Sequence, residues 1–223
     1  GASSILARTY VPYNFTTSVK ADFDSLNNGI VYAGETVSVR HQITVNSKYN
    51  SVTEAIKDAQ GAIDEDCIVV LKANCKLTEK IEITSRNKIT IDLNGFILLS
   101  ASASRIEIVG NESDVTIKSS ADGGAMEQNA TGAYTLSQNA GTFTLESGEI
   151  RSAASATVLT YDIKGGTVNI KGGKIVNTGY TRVLQASAST GSCSVNISGG
   201  EIDCTAHELG TSSAIYFGTN ASV

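Results

Sequence analysis

The sequence has no tryptophan, one proline, one methionine and two histidines, and aromatic residues make up only 6% of its 223 residues. It also lacks any run of basic residues, and its formal net charge is −5. A phosphate backbone or an anionic bilayer attracts clustered cations, so neither nucleic acid nor a membrane surface is expected as a partner. No apolar stretch approaches the roughly 20 residues a helix needs to cross a bilayer, so no membrane insertion is expected in this segment. Gly1-Ala2-Ser3-Ser4 has neither the charged start nor the apolar run of a signal peptide, leaving a cytosolic chain and a trimmed chain both open. The four cysteines, Cys67, Cys75, Cys193 and Cys204, form no paired C-x2-C and have no flanking histidine, so no metal site and no cofactor is expected. Cys193 and Cys204 are close enough in sequence for a local disulfide, which would imply export; buried thiols are the other reading.

Hydrophobic residues at 41%, charged residues at 17% and 21 glycines suit many short strands joined by polar turns. Self-similarity then organises the chain. Thr142-Phe-Thr-Leu-Glu-Ser-Gly-Glu-Ile150, Thr167-Val-Asn-Ile-Lys-Gly-Gly-Lys-Ile175 and Ser194-Val-Asn-Ile-Ser-Gly-Gly-Glu-Ile202 superpose without gaps at spacings of 25 and 27 residues. Lys88–Phe96 and Asp114–Ser119 join the series at offsets of 26 and 28. Further strand-like runs lie between them, at Arg105–Val109, Ala133–Leu136, Thr157–Thr160, Thr181–Leu184 and Ala214–Phe217. Two or three strands per repeat make a solenoid turn.

Alternation with period two predicts that Ile89/Ile91, Val115/Ile117, Phe143/Leu145, Val168/Ile170 and Val195/Ile197 stack inside. Thr90, Thr116, Thr144, Asn169 and Asn196 then stand outside. Asn94, Gly148, Gly173 and Gly200 share one position after the strand, the composition of a left-handed corner. Neighbouring turns place equivalent residues about 4.8 Å apart. The column Asp92, Lys118, Glu146, Lys171 and the column Glu149, Lys174, Glu201 alternate in sign, which assigns these charges to register rather than catalysis.

Ahead of the repeats, Ser51-Val-Thr-Glu54 is a capping box opening a short amphipathic helix, with Val52, Ile56 and Ala59 on one face to cover the first turn. Residues 1–50 carry strands at Ser18–Phe23 and Glu35–Val45, either an immunoglobulin-like fragment or strands packed on the coil. The coil takes residues 51–223, and because no cap follows Ser213–Val223, continuation beyond Val223 or end-to-end association is expected.

Ser51–Ala59, Ile68-Val-Val-Leu71 and Ile89-Thr-Ile-Asp-Leu-Asn-Gly95, followed by the Gly-Gly repeats, resemble the right-handed parallel β-helices of the pectin-lyase-like superfamily, in the variety found in bacterial cell-surface proteins. The resemblance implies an all-β solenoid, a secreted or cell-surface location, and either a non-catalytic module for adhesion, glycan binding or spacing, or a polysaccharide lyase or glycoside hydrolase. A hydrolase needs paired carboxylates and a lyase a base beside a carboxylate cluster. The sequence has no Asp-Asp pair and no Gly-His-Gly; Asp22-Phe-Asp24 and Asp64-Glu-Asp66 lie outside the repeats, His41 and His207 are isolated, and nothing acidic clusters in sequence with Arg151 or Arg182. No catalytic residue is therefore assigned. For contact with a glycan or host surface, Tyr134, Tyr161, Tyr180, Arg182 and Tyr216 form a candidate strip, since aromatic rings and polar groups suit sugar faces.

Overall fold

The chain is described here from a computed structural model, which defines residues 37–41, 47–62, 65–100, 103–152, 159–179, 182–189, 191–204 and 213–223. Ser51 is extended (φ −131°, ψ 131°) and its side chain accepts the Glu54 N–H at 3.5 Å, which starts helix α1 at Val52–Gly61. Val52, Ala55, Ile56 and Ala59 recur at helical spacing and are buried with Thr53. They join the interior cluster at the first turn of the coil, so the helix covers that end as its pattern predicts.

Beyond α1 the chain winds as a parallel β-helix with three sheets, each turn giving one strand to each sheet. The first face is built from Cys67–Leu71, Lys88–Asp92, Asp114–Lys118, Thr142–Leu145, Gly166–Ile170, Cys193–Ile197 and Ala221–Ser222. The second takes Cys75–Leu77, Ile97–Ser100, Ala125–Gln128, Glu149–Ser152, Lys174–Asn177 and Glu201–Asp203. The third takes Ile81–Ile83, Ile106–Ile108, Leu136–Gln138, Tyr161–Ile163, Arg182–Ala186 and Ser213–Phe217. Val37–His41 extends the first face antiparallel to Cys67–Leu71, and Ser47–Tyr49 pairs antiparallel with Val37–His41 at its edge.

The repeat alignment is the pairing register: Ile89 stands beside Val115, Val115 beside Phe143, Phe143 beside Val168 and Val168 beside Val195. All five are completely buried, each contributing about 1.5–3 kcal/mol of apolar burial. Ile197, which belongs to the same interior series, is 44% exposed, because the last strand of that face, Ala221–Ser222, pairs only with Cys193 and Ser194. The corner also matches: φ is +48° at Asn94 and +83°, +74° and +83° at Gly148, Gly173 and Gly200. Glycine is required there by space as well as by dihedral, since a Cβ on Gly173 would lie 2.6 Å from the Gly148 carbonyl oxygen.

The Asp-Leu-Asn-Gly segment fastens three turns together. One Asp92 carboxylate oxygen accepts the backbone N–H of Asn94 in its own turn and of Ser120 in the next, both at 2.9 Å. The Asn94 amide donates to the Leu71 carbonyl of the preceding turn at 3.0 Å.

Three expectations change. Thr116 and Thr144 lie on the outer side of the first face yet are only 2% and 6% exposed, because in a flat sheet short side chains are shielded by the turns on either side. The third-face strands begin at Leu136 and Tyr161, after Ala133–Thr135 and after Leu159 and Thr160, the described part of the Thr157–Thr160 run; Gln138 and Tyr161 turn inward there, which breaks the apolar alternation. Beyond its aligned strand starts at Glu149, Lys174 and Glu201, the second face was concealed for a related reason. Its inward column includes Ser100, Gln128, Ser152 and Asn177, all at most 1% exposed. These side chains are satisfied by local groups: Gln128 donates to the Ser104 carbonyl at 2.9 Å, and the Ser152 and Thr135 hydroxyls are 3.0 Å apart.

Candidate functional site: the outer strip of the third face

The third face alternates with period two, so inward Ile81/Ile83, Ile106/Ile108, Leu136/Gln138 and Tyr161/Ile163 leave one residue of each strand pointing out. Register places these in one column, Glu82, Glu107, Ser137, Asp162, Gln185 and Tyr216, running along the coil. Carboxylates in a column repel unless cations intervene, and the strand ends supply them. Lys80 reaches Glu82 at 2.5 Å and Glu107 at 3.2 Å. Arg105 meets Glu107 at 3.2 Å and donates to the Ser137 hydroxyl at 3.1 Å. Asn139 donates to Glu107 at 2.9 Å, and Lys164 pairs with Asp162 at 3.2 Å.

These contacts decide the protonation of Glu107. Burial, the largest single influence, pushes its carboxyl upward, but the Asn139 amide, the Lys80 ammonium and the Arg105 guanidinium together hold it below the ordinary glutamate range. A general acid in glycoside hydrolysis needs the opposite displacement. Glu107 is thus a braced anion.

The C-terminal part of the strip is aromatic and cationic. The Arg182 guanidinium lies 4.1 Å from the Tyr216 ring centroid and donates to the Gln185 amide oxygen at 3.1 Å. Tyr216 is 39% exposed. Further back, Lys164 sits 6.0 Å from the half-buried Tyr134 ring. Beside the strip, at the corner leading to the first face, a cleft of about 360 Å³ is lined by Asn111, Asn139, Thr142, Thr167, Ser192 and several glycines.

Of the tyrosine and arginine residues read as a strip, Tyr134, Arg182 and Tyr216 are at the surface of this face. Tyr161 is not: it is fully buried, edge-on to Phe143 at 5.2 Å between centroids, with its hydroxyl bonded to the Gln138 amide oxygen. It occupies an inward position of its strand, so it packs the core instead of meeting a ligand. Tyr180 lies outside the described residues.

Arg151 follows Glu149 by two residues in the sequence, and the fold adds a second acid from the neighbouring turn. It contacts Glu127 of the previous turn at 2.7 Å and Glu149 at 3.0 Å. Glu127 was missed as a partner because its strand, Ala125–Gln128, has no apolar alternation. With both acids engaged, Arg151 is a strut of the second face. The Glu149, Lys174, Glu201 column is in register, with Lys174 pairing to Glu201 at 3.1 Å and to Asp203 at 2.7 Å.

Among the described residues no group of three or more His, Cys, Asp or Glu is placed to hold a metal. The four cysteines are thiols, without a Cys193–Cys204 bridge: Cys193 faces the core, whereas Cys204 follows a strand of the second face. No described helix is long and apolar enough to cross a membrane. No protein-family model, curated protein or solved structure matches the chain. The architecture therefore stands on its own register and burial.

Proposed function

We propose that this β-helix is a non-catalytic extracellular module of a bacterial surface protein, of the pectin-lyase-like kind, that presents a shallow glycan-contacting strip on its third face. Adhesion to a glycan-bearing host surface is the role that follows. The observation that carries the reading is the Arg182–Tyr216 pair, an exposed ring with a stacked guanidinium at 4.1 Å, on a face whose carboxylates are already neutralised by Lys80, Arg105 and Lys164. Such a face offers a ring and hydrogen-bond donors to a sugar without a free acid to cleave it.

A carbohydrate-active enzyme is the competing reading, and one observation favours it. Burial, the largest influence, raises the Asp114 carboxyl above the ordinary range, and Asp66 adds to this while Lys88 and Lys171 oppose it. Asp114, however, is directly beside Lys88 in register, and Asp66 immediately precedes Cys67, the partner of Ile89. Asp66, Lys88 and Asp114 thus form a third alternating charge column, a register device rather than an acid and base flanking a groove.

Binding of the isolated chain to an array of immobilised glycans tests the proposal. Retention of at least one glycan class by the wild-type chain and its loss in Tyr216→Ala is the expected result. If no glycan is retained, or Tyr216→Ala binds as well as wild type, the strip is not the site.

A further inference from the structure

Five Asn-x-Ser/Thr triplets occur in the chain, beginning at Asn14, Asn111, Asn129, Asn196 and Asn220, none with proline in the middle. Such a triplet accepts an N-linked sugar when it stands clear of regular structure at the surface. Transfer to a folded chain asks for an asparagine amide nitrogen free to reach a sugar, an accessible hydroxyl two residues on, and backbone after the asparagine that is not committed to a sheet.

Asn14 lies outside the described residues, and three of the remaining triplets each fail a condition. At Asn111 the hydroxyl is withdrawn: Ser113 is 1% exposed and donates to the Ser85 carbonyl at 2.8 Å. At Asn196 the amide donates to Asn169 Oδ1 at 3.0 Å, and Asn196 and Ile197 pair with Asn169 and Ile170 in the first face. At Asn220 the amide donates to the Ala188 carbonyl at 3.4 Å, and Ala221 and Ser222 pair with Cys193 and Ser194.

Asn129 meets all the conditions. It follows the second-face strand Ala125–Gln128, in the turn that leads to Leu136–Gln138. Gln128 points inward and fastens the base of that turn, donating to the Ser104 carbonyl at 2.9 Å and the Tyr134 carbonyl at 3.3 Å and accepting the Ala130 N–H at 3.0 Å. The Asn129 N–H bonds to the Ser100 carbonyl at 3.3 Å, and after it the chain leaves the sheet. Alternation past an inward Gln128 turns Asn129 outward. Asn129, Thr131 and Gly132 are exposed, and neither the Asn129 nor the Thr131 side chain bonds to a described residue. Gly132 is at φ +78°, and a Cβ built on it would meet nothing within 4 Å. The rim of the turn therefore has open space for a bulky group.

We infer that Asn129 is a glycan attachment site, selected by the fold from the described triplets, and that the sugar comes from a glycosyl diphosphate through a separate transferase. Asn129 Nδ2 forms the bond to the anomeric carbon while the bond from that carbon to the diphosphate oxygen breaks. The diphosphate leaves on its carrier with the electron pair, Nδ2 gives up one proton, and nothing is oxidised or reduced. A nucleotide and a membrane lipid are the two carriers that present this leaving group. Because the sugar is carried by the chain, the site is separate from the third-face strip and does not depend on what that strip retains.

Peptide mapping by mass spectrometry tests this. The folded wild-type chain is treated in one arm with a soluble N-glycosyltransferase and a nucleotide-linked hexose, and in the other with an oligosaccharyltransferase and a lipid-linked oligosaccharide. A sugar on Asn129 in at least one arm is expected, the arm and its mass increment identifying the carrier. Asn111, Asn196 and Asn220 should stay unmodified in the folded chain, although synthetic peptides bearing the same triplets are modified. Modification of Asn129 should be lost in Thr131→Ala and restored in Thr131→Ser, with the unfolding midpoints of both variants establishing that the fold is retained. A folded chain left unmodified at Asn129 in both arms, or modified equally at Asn111, Asn196 or Asn220, overturns the inference. Transfer to Asn129 that survives Thr131→Ala overturns it too, since the triplet would then not be what the transferase reads.

Discussion

Removing the Asp92 carboxylate should be among the most damaging single changes on the first face. Asp92 is 5% exposed, and one of its oxygens accepts the N–H groups of Asn94 and Ser120 at 2.9 Å each. Asp92→Ala leaves both backbone donors without that acceptor at a part-buried corner. Hydrogen bonds to a charged group contribute about 1.5–3 kcal/mol each, so a loss of about 3–5 kcal/mol is expected. The Lys118 contact at 3.9 Å adds little by comparison, about 0–1 kcal/mol. Asp92→Asn separates the two contributions, because its amide oxygen can still accept both N–H groups while the charge is gone; about 1–2 kcal/mol is expected. Urea unfolding followed by circular dichroism measures both. The reasoning fails if Asp92→Ala costs under about 1 kcal/mol, or if alanine and asparagine cost the same, since the acceptor geometry would then be irrelevant.

Other consequences are as direct. Tyr161→Phe keeps the edge-on contact with Phe143 but strips the Gln138 oxygen of its donor, so a loss of about 1–3 kcal/mol is expected in the same unfolding measurement. Cys67 is 1% exposed, and burial together with Glu65, Asp58 and Asp66 pushes its thiol up to about 11 against a weaker lowering by Asn87; mass spectrometry after brief iodoacetamide treatment at neutral pH should find it unmodified in the native chain and modified in urea. Glu107 has a lowered carboxyl in the folded state, so its stabilisation is fully present above the unfolded value of about 4.3 and is lost as pH falls through the folded value. Thermal unfolding between about pH 6 and pH 3 should therefore show a shallower acid destabilisation in Glu107→Gln than in wild type, and equal slopes would remove the stabilising role of Lys80, Arg105 and Asn139.

The first face was legible in the sequence because its interior is purely apolar. Val115, Phe143, Val168 and Val195 alternate with polar residues at spacings of 28, 25 and 27 residues, and the Gly148, Gly173 and Gly200 corner marks where each strand ends. The helix start was equally plain in Ser51 and Glu54. The second face was legible only where its strands start, at Glu149, Lys174 and Glu201, because Gln128, Ser152 and Asn177 turn polar side chains inward and bond to nearby backbone and hydroxyl groups, which removes the alternation that identifies a strand. Misplacing Tyr161 has the same origin. A tyrosine whose hydroxyl finds Gln138 inside the coil is indistinguishable in sequence from one at the surface. The Arg182–Tyr216 pair joins residues of adjacent turns, and Arg151 with Glu127 does likewise; such contacts emerge only once the length of each turn, loops included, is known.

A surface that binds saccharide without cutting it leaves its ligand intact. The decisive measurement is to incubate the wild-type chain with a polysaccharide that it retains and to follow ultraviolet absorbance for unsaturated products together with reducing-end formation. Polysaccharide recovered at its original length is expected, with neither product formed above the protein-free control. Sustained formation of either product, abolished by heating the protein, would contradict it.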